Sequence, residues 1–165
     1  MLTPVLDQCR RLLETVTPLP GDCGAFCGCA CCRSLPGEDT GMLLFPGEAE
    51  AYAGSPGWRI MATEAGPAVL CPGVCDRTQR PLSCRLFPLL PVLRSGGVRV
   101  AMDARARAVC PLADSGPSGL RPEFVEAVRA CGQLLAEDES QRPFLETLTR
   151  QQDELRALQK RFGGK

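Results

Sequence analysis

Residues 86–102, LFPLLPVLRSGGVRVAM, decide the fold class because they predict a β-hairpin. An apolar segment precedes the Gly96-Gly97 pair, and the alternating residues 98–102 follow it. Two such runs joined through a glycine-containing turn are typical of antiparallel strands. Residues 58–70 alternate more loosely around Gly66-Pro67 and predict a further strand or hairpin, and residues 42–45 predict a short strand.

Helical patterns surround these strands. Residues 2–16 place apolar side chains at three- and four-residue steps, and Pro18 and Pro20 stop the pattern. Two more helices are predicted after a linker at residues 114–122, the second from about Pro143 to Phe162. The pattern predicts an α+β fold, in which two C-terminal helices cover a small irregular cysteine-rich core. We divide the chain into a cysteine-cluster part, 1–113, and a helical pair, 114–165.

Composition excludes several classes of protein. The chain has 165 residues, 44% of them apolar, which is enough for a core and argues against a disordered protein. Nineteen basic and nineteen acidic residues cancel, so no basic excess points to nucleic acid. The first residues lack the basic region of a signal peptide, and no apolar run is long enough to span a membrane. We therefore expect a cytoplasmic protein whose thiols stay reduced.

Eleven cysteines and no histidine dominate the chemistry. Cys9 and Cys131 lie within apolar helical stripes and are predicted to pack as small hydrophobic residues. The other nine fall in two blocks, residues 23–32 and residues 71–84 followed by Cys110. Two loops that each carry close cysteines are the usual source of a four-coordinate thiolate site. Such ligands suit Zn²⁺ or an iron–sulfur cluster, although the spacings match neither a zinc ribbon nor a ferredoxin.

Arginines accompany the second block. Arg80 and Arg85 flank Cys84, and a guanidinium beside a thiolate stabilises the anion and offsets the charge of a thiolate site. We predict both arginines as cofactor-binding residues. The alternative is that they are solvated or pair with carboxylates elsewhere.

The motifs resemble the YkgJ-type cysteine-cluster family, a zinc- or iron-chelating domain named for its CxxCxxCC motif. The resemblance covers residues 23–112 and rests on the terminal CCR of the first block, the downstream C-x3-C, the RPLSCRLFP segment and a later CP. The first block departs from the family pattern, because Ala25 and Gly28 stand where cysteines are required and Cys29 is left over. Matched residue by residue, the resemblance implies as metal ligands Cys23, Cys27, Cys31, Cys32, Cys71, Cys75, Cys84 and Cys110. These could form two four-coordinate sites, or one site with accessory cysteines.

Three functions follow as alternatives. The first is a metal-binding protein with a structural or carrier role. The second is a metal- or cluster-dependent enzyme acting on a protein side chain, as the resemblance to the lysine N-methylase branch of that family implies. Its acid–base candidates are Asp76, Glu64, Tyr52 and the arginines. The third is a redox or partner-binding protein, using the vicinal Cys31-Cys32 pair or the two C-terminal helices. The absence of histidine excludes serine–histidine triads and histidine-ligated zinc, and no P-loop is present.

Overall fold

The computed structural model describes residues 2–33, 41–73 and 75–163. In these ranges the helices are α1 (Pro4–Leu12), α2 (Gly24–Cys27), α3 (Ala49–Tyr52), α4 (Leu82–Leu86), α5 (Pro122–Glu137) and α6 (Arg142–Phe162). The strands are β1 (Met42–Leu43), β2 (Arg59–Thr63), β3 (Gly66–Leu70), β4 (Leu89–Arg94) and β5 (Gly97–Met102). This is the α+β architecture that the sequence predicts.

Two small antiparallel sheets contain all of these strands. Strands β4 and β5 form the hairpin predicted around Gly96-Gly97, with Leu89 opposite Met102 and Arg94 opposite Gly97. The other sheet has the order β1-β3-β2, and its β2–β3 hairpin confirms the prediction for residues 58–70. Residues 114–122 contain short 3-10 turns, as expected of a connecting segment.

Helix α1 is shorter than predicted, because it ends at Leu12 and not near residue 16. The guanidinium of Arg77 donates hydrogen bonds to the carbonyls of Leu13, Glu14 and Val16, at 2.7–2.9 Å. These carbonyls belong to the segment directly after the helix. Arg77 therefore holds that segment in place from a distant loop.

The main core lies between the β4–β5 hairpin and the helices α1, α5 and α6. Helix α5 approaches the hairpin closely at Gly132, where a Cβ atom would stand 2.5 Å from the Cβ of Pro91. Cys9 and Cys131 are both 0% exposed, and each thiol lies within 3.7 Å of the other residue's carbonyl oxygen. This confirms that the two cysteines pack in the core.

The C-terminal helices pack on the β4–β5 hairpin and on helix α1, which belong to the 1–113 part of the chain. Their docking buries Phe124 and Leu135 of α5, and Leu145 of α6, against the hairpin. Leu158 and Phe162, near the end of α6, are 52% and 72% exposed. Among the helices in the described ranges, none has the length and apolar character needed to cross a membrane.

Candidate functional site

The cysteines of the two blocks lie around two adjoining cavities. The first cavity, of ≈ 50 Å³, is bordered by Cys29, Cys32, Cys71 and Cys75, and the second, of ≈ 90 Å³, by Cys27 and Cys110. Both are bordered by Cys23, Cys31, Arg80, Cys84 and Phe87, which form a shared wall. Every cysteine of the predicted ligand set therefore borders one cavity or both. A cavity of roughly 10–15 Å³ holds a water-sized group, so each has room for an ion.

The first block, which we call the thiol loop (residues 22–33), winds tightly on one side of the cavities. The Gly24 N–H donates to Asp22 Oδ1 at 3.2 Å and starts the short helix α2. Gly28 and Cys29 then adopt left-handed conformations, with φ of 61° and 57°, before a 3-10 turn at Ala30–Cys32. Such a φ is strained for a residue other than glycine. The strained Cys29, excluded from the predicted ligand set, borders the first cavity.

The second block supplies the opposite side of the cavities. Cys71 directly follows β3, and its sulfur accepts a hydrogen bond from the Gly73 N–H at 3.4 Å. Asp76 caps the 3-10 turn Arg77–Gln79 by accepting from the Thr78 N–H at 2.7 Å. This turn sets the direction of the chain between Cys75 and Arg80.

Three arginines attach this second side to helix α1 and the rest of the fold. Besides the bonds of Arg77, the Arg85 guanidinium donates to the carbonyls of Arg10, Thr78 and Arg80, at 2.9–3.2 Å. Arg10 donates to the Thr78 carbonyl at 2.8 Å and to the Tyr52 hydroxyl at 3.3 Å. These bonds fix the position of residues 76–80.

The two arginines predicted to bind a cofactor have different surroundings. Arg80 lies in the shared wall, and its guanidinium stands 3.9 Å from the Asp22 carboxylate. In the described part of the chain, its buried Nε has no hydrogen-bond partner. Arg85 is 5% exposed, borders neither cavity and is occupied by the backbone carbonyls named above.

A sulfur contact connects the two blocks, because the Cys71 thiol lies 4.0 Å from the Cys32 carbonyl oxygen. The neighbouring Cys31 thiol, together with burial, raises the pKa of Cys32 to about 11, although Cys71 acts in the lowering direction. The Cys71 thiol, followed by burial, raises the pKa of Cys75, although the Arg80 guanidinium acts in the lowering direction.

Burial dominates the pKa shifts elsewhere in the site. It raises the pKa of Cys84, Cys110 and Cys23, and the negative charge of Asp22 adds to the shift at Cys23. Arg80 acts on Cys23 in the expected lowering direction but is outweighed. Thiols with raised pKa values remain protonated at neutral pH.

All eleven cysteines are free thiols. Across residues 2–33, 41–73 and 75–163, no three cysteine, aspartate or glutamate side chains stand where they could together hold one metal ion. The thiols border the cavities, but in the described ranges they are not close enough together to coordinate one metal ion in this arrangement. Their chemistry fits a soft metal, because thiolates are the preferred ligands of zinc and iron–sulfur clusters.

The acid–base candidates other than the arginines lie away from the cavities. Asp76 caps a turn, Glu64 is exposed between β2 and β3, and the Tyr52 hydroxyl donates to the Gln79 carbonyl at 2.8 Å. None of these three side chains borders either cavity.

Glu48 is a buried carboxylate whose role the sequence did not reveal. It is 0% exposed and accepts hydrogen bonds from the Phe45 and Leu82 N–H groups, at 3.0 and 2.8 Å. Burial raises its pKa, whereas these two bonds and the Arg10 guanidinium act in the opposite direction. The sequence predicts only the start of a short helix here, and no local pattern indicates the contact with Leu82, 34 positions away.

No protein-family model, curated protein or solved structure matches the chain. The resemblance to the YkgJ-type family therefore rests on the motif residues alone.

Proposed function

We propose that the chain binds a thiophilic metal centre, either Zn²⁺ or an iron–sulfur cluster, between the thiol loop and the second cysteine block. One observation carries the proposal: the eight predicted ligands, from separate parts of the chain, border two adjoining cavities. Packing alone does not account for this convergence, because each of the eight remains partly exposed, unlike the fully buried Cys9 and Cys131. The resemblance to the cysteine-cluster family points to the same chemistry.

Arg80 supports the proposal through its charge and its unused donor. The side chain stands between the two cavities, and its Nε has no acceptor among the described residues. A buried donor without a partner costs about 1–3 kcal/mol. Thiolate or sulfide in the cavities would provide the missing acceptor, and the guanidinium charge would offset part of the negative charge of the ligands.

Loading such a site requires two changes in the chain itself. Because the pKa values of Cys23, Cys32, Cys71, Cys75, Cys84 and Cys110 are raised, ligand thiols must lose protons as the metal enters. The thiol groups must also move closer together. The arginine hydrogen bonds fix the second block, so the movement is expected in the thiol loop.

Anaerobic purification of the full chain tests the proposal. Zinc, iron and acid-labile sulfide are measured, and a visible absorbance spectrum distinguishes zinc from a cluster. We expect one or two equivalents of zinc, or iron together with sulfide and a visible absorption band. Folded protein that takes up neither zinc nor iron and sulfide under these conditions would refute the proposal.

Matched cysteine variants locate the metal. Cys84→Ala is expected to lose it, because Cys84 lies in the wall shared by both cavities. Cys131→Ala is the control, because it makes the same chemical change in the hairpin core. Circular dichroism and metal content are measured on both. Equal metal content in the two variants would contradict the assignment of Cys84 as a ligand.

A further inference from the structure

A third and larger concavity is also bordered by Cys31. This apolar chamber has a volume of ≈ 520 Å³, within the range of small-molecule sites. Met42 and Met61, from the three-stranded sheet, border one side of it, and Val109 and Leu155 border another. Cys31 and Arg33 border it as well, and both are exposed.

A polar depression of ≈ 420 Å³ adjoins the chamber, and the two share Ala104 and Gln159. The Gln159 amide donates to the Ala104 carbonyl at 2.8 Å and thereby holds helix α6 beside the 3-10 turn Ala104–Ala108. The apolar and polar spaces are therefore neighbours along one stretch of surface.

The depression is positively charged, although the chain as a whole has a formal charge of zero. It is bordered by Arg107, Arg156 and Lys160, all exposed. Its single carboxylate, Asp103, is already paired with Arg105, whose Nε lies 3.0 Å from Asp103 Oδ1. Within the described ranges, none of the three cations makes an ion pair with a carboxylate.

We propose that the chamber and the depression together bind a single-chain amphiphile with an anionic head group. The apolar chain occupies the space beside Met42 and Met61, and the carboxylate or phosphate lies among Arg107, Arg156 and Lys160. Guanidinium groups bind both kinds of anion through paired hydrogen bonds. Burial of each CH₂ strengthens binding about fourfold. The proposal stands independently of any metal at the thiol cluster.

Binding is measured by calorimetry with dodecanoate and dodecyl phosphate below their micelle concentrations, with dodecanol below its solubility limit, and with butyrate and inorganic phosphate. Dodecanoate and dodecyl phosphate are expected to bind, and the tighter of the two identifies the head group. Dodecanol, which has no charge, should bind about tenfold more weakly. Butyrate and inorganic phosphate should show no measurable binding. Equal affinity for dodecanol and dodecanoate would overturn the proposal.

Methionine methyl NMR signals report where the ligand lies. Met42 and Met61 border the chamber, and Met102 borders the depression. Dodecanoate is expected to shift all three signals. Anionic vesicles are the contrasting probe, because helix α6 exposes Leu158 and Phe162 beside Lys160. If only vesicles bind, or if the Met42 and Met61 signals stay unchanged, the proposal fails.

Charge variants separate a specific site from general attraction. Arg107→Gln with Lys160→Gln should weaken dodecanoate binding about tenfold. The matched control, Arg129→Gln with Arg150→Gln, removes the same charge from exposed helix positions that pair with Glu126 and Glu154. This control should change the affinity less than about twofold. Equal weakening in both double variants would show that net charge alone attracts the ligand, and would overturn the proposal.

A chamber variant tests the apolar half. Ala108→Leu enlarges an exposed side chain that borders the chamber, so the fold should be preserved. We expect weaker dodecanoate binding together with an unchanged melting temperature. Unchanged affinity would place the alkyl chain outside the chamber and contradict the proposal.

Discussion

The hairpin core buries cysteine and phenylalanine side chains, whereas in the thiol loop they are exposed or partly exposed. In the hairpin core, which consists of β4, β5, α1, α5 and α6, Cys9, Cys131 and Phe124 are all 0% exposed. In the thiol loop no residue is buried, Cys31 is exposed and Phe26 is 75% exposed. Apolar burial therefore stabilises the first region, whereas the second is held by local turns and a few hydrogen bonds.

Phenylalanine substitutions should show the largest difference between the two regions. Phe124→Ala removes a fully buried ring, and we expect it to lower the free energy of unfolding by about 3–5 kcal/mol. Phe26→Ala removes a ring that is 75% exposed, with an expected change within about 0.5 kcal/mol. Urea denaturation of both variants checks this. Comparable losses would mean that the thiol loop is packed as firmly as the core.

Glu48 connects the segment after β1 to the start of α4, and its loss should have the next largest effect. Glu48→Ala leaves the Phe45 and Leu82 N–H groups buried without acceptors, at an expected cost of about 3 kcal/mol. Glu48→Gln keeps one carbonyl acceptor and should cost less, about 1 kcal/mol. Denaturant midpoints provide the measurement. If Glu48→Gln were as damaging as Glu48→Ala, charge rather than hydrogen bonding would be the main contribution.

Tyr52 gives a pH-dependent measure of the same contacts. Burial and the Glu48 carboxylate raise its pKa to about 12, although Arg10 acts in the lowering direction. The phenol therefore loses its proton at lower pH in the unfolded chain, near 10, than in the folded protein. The free energy of unfolding should fall as pH rises from 10 to 12, by about 2–3 kcal/mol in total from this group.

The titration of Tyr52 can be observed directly, because the chain has one tyrosine. Near-ultraviolet absorbance of the folded protein should show a tyrosinate midpoint of about 12. Tyr52→Phe removes this absorbance change, and its stability should fall less steeply above pH 10. A midpoint near the ordinary value would indicate that the hydroxyl is exposed to solvent.

Cysteine substitutions give the smallest effect and compare the two regions most directly. Cys9→Ala should cost about 1–2 kcal/mol, through a cavity between α1 and α5. Cys31→Ala, at an exposed position, should leave the stability of the metal-free protein within about 0.5 kcal/mol. Thermal unfolding after metal removal checks both. Equal losses would contradict the division of the cysteines into packing residues and site residues.

Local patterns predicted most of the elements and part of the site. Helical periodicity identified Cys9 and Cys131 as core residues, and the Gly96-Gly97 pair placed the turn of the main hairpin. These features depend on neighbours in sequence, so spacing alone reveals them. The occurrence of the other cysteines in two sequence blocks likewise predicted that the blocks lie close together, and both blocks border the two cavities.

Contacts between distant segments could not be predicted. The sequence places Arg85 one residue after Cys84, but its guanidinium bonds to carbonyls and does not face the cavities. The docking of α5 depends on the close approach of Gly132 to Pro91. The two residues are far apart in the sequence, and no local pattern predicts that they are in contact. The apolar chamber draws residues from the three-stranded sheet, the 3-10 turn Ala104–Ala108, helix α6 and the thiol loop, so no single stretch carries its pattern.

The arginine hydrogen bonds have a consequence for how tightly the site could hold an occupant. Arg77 and Arg85 tie residues 76–80 to helix α1, so one half of the site is preorganised. The conformational entropy lost on closing the site then falls mainly on the thiol loop. Substitutions in that loop that reduce the freedom of the open state would then raise the affinity for the proposed metal without disturbing the core. In the proposed metal centre, the residues that determine folding would then be different from those that adjust binding strength.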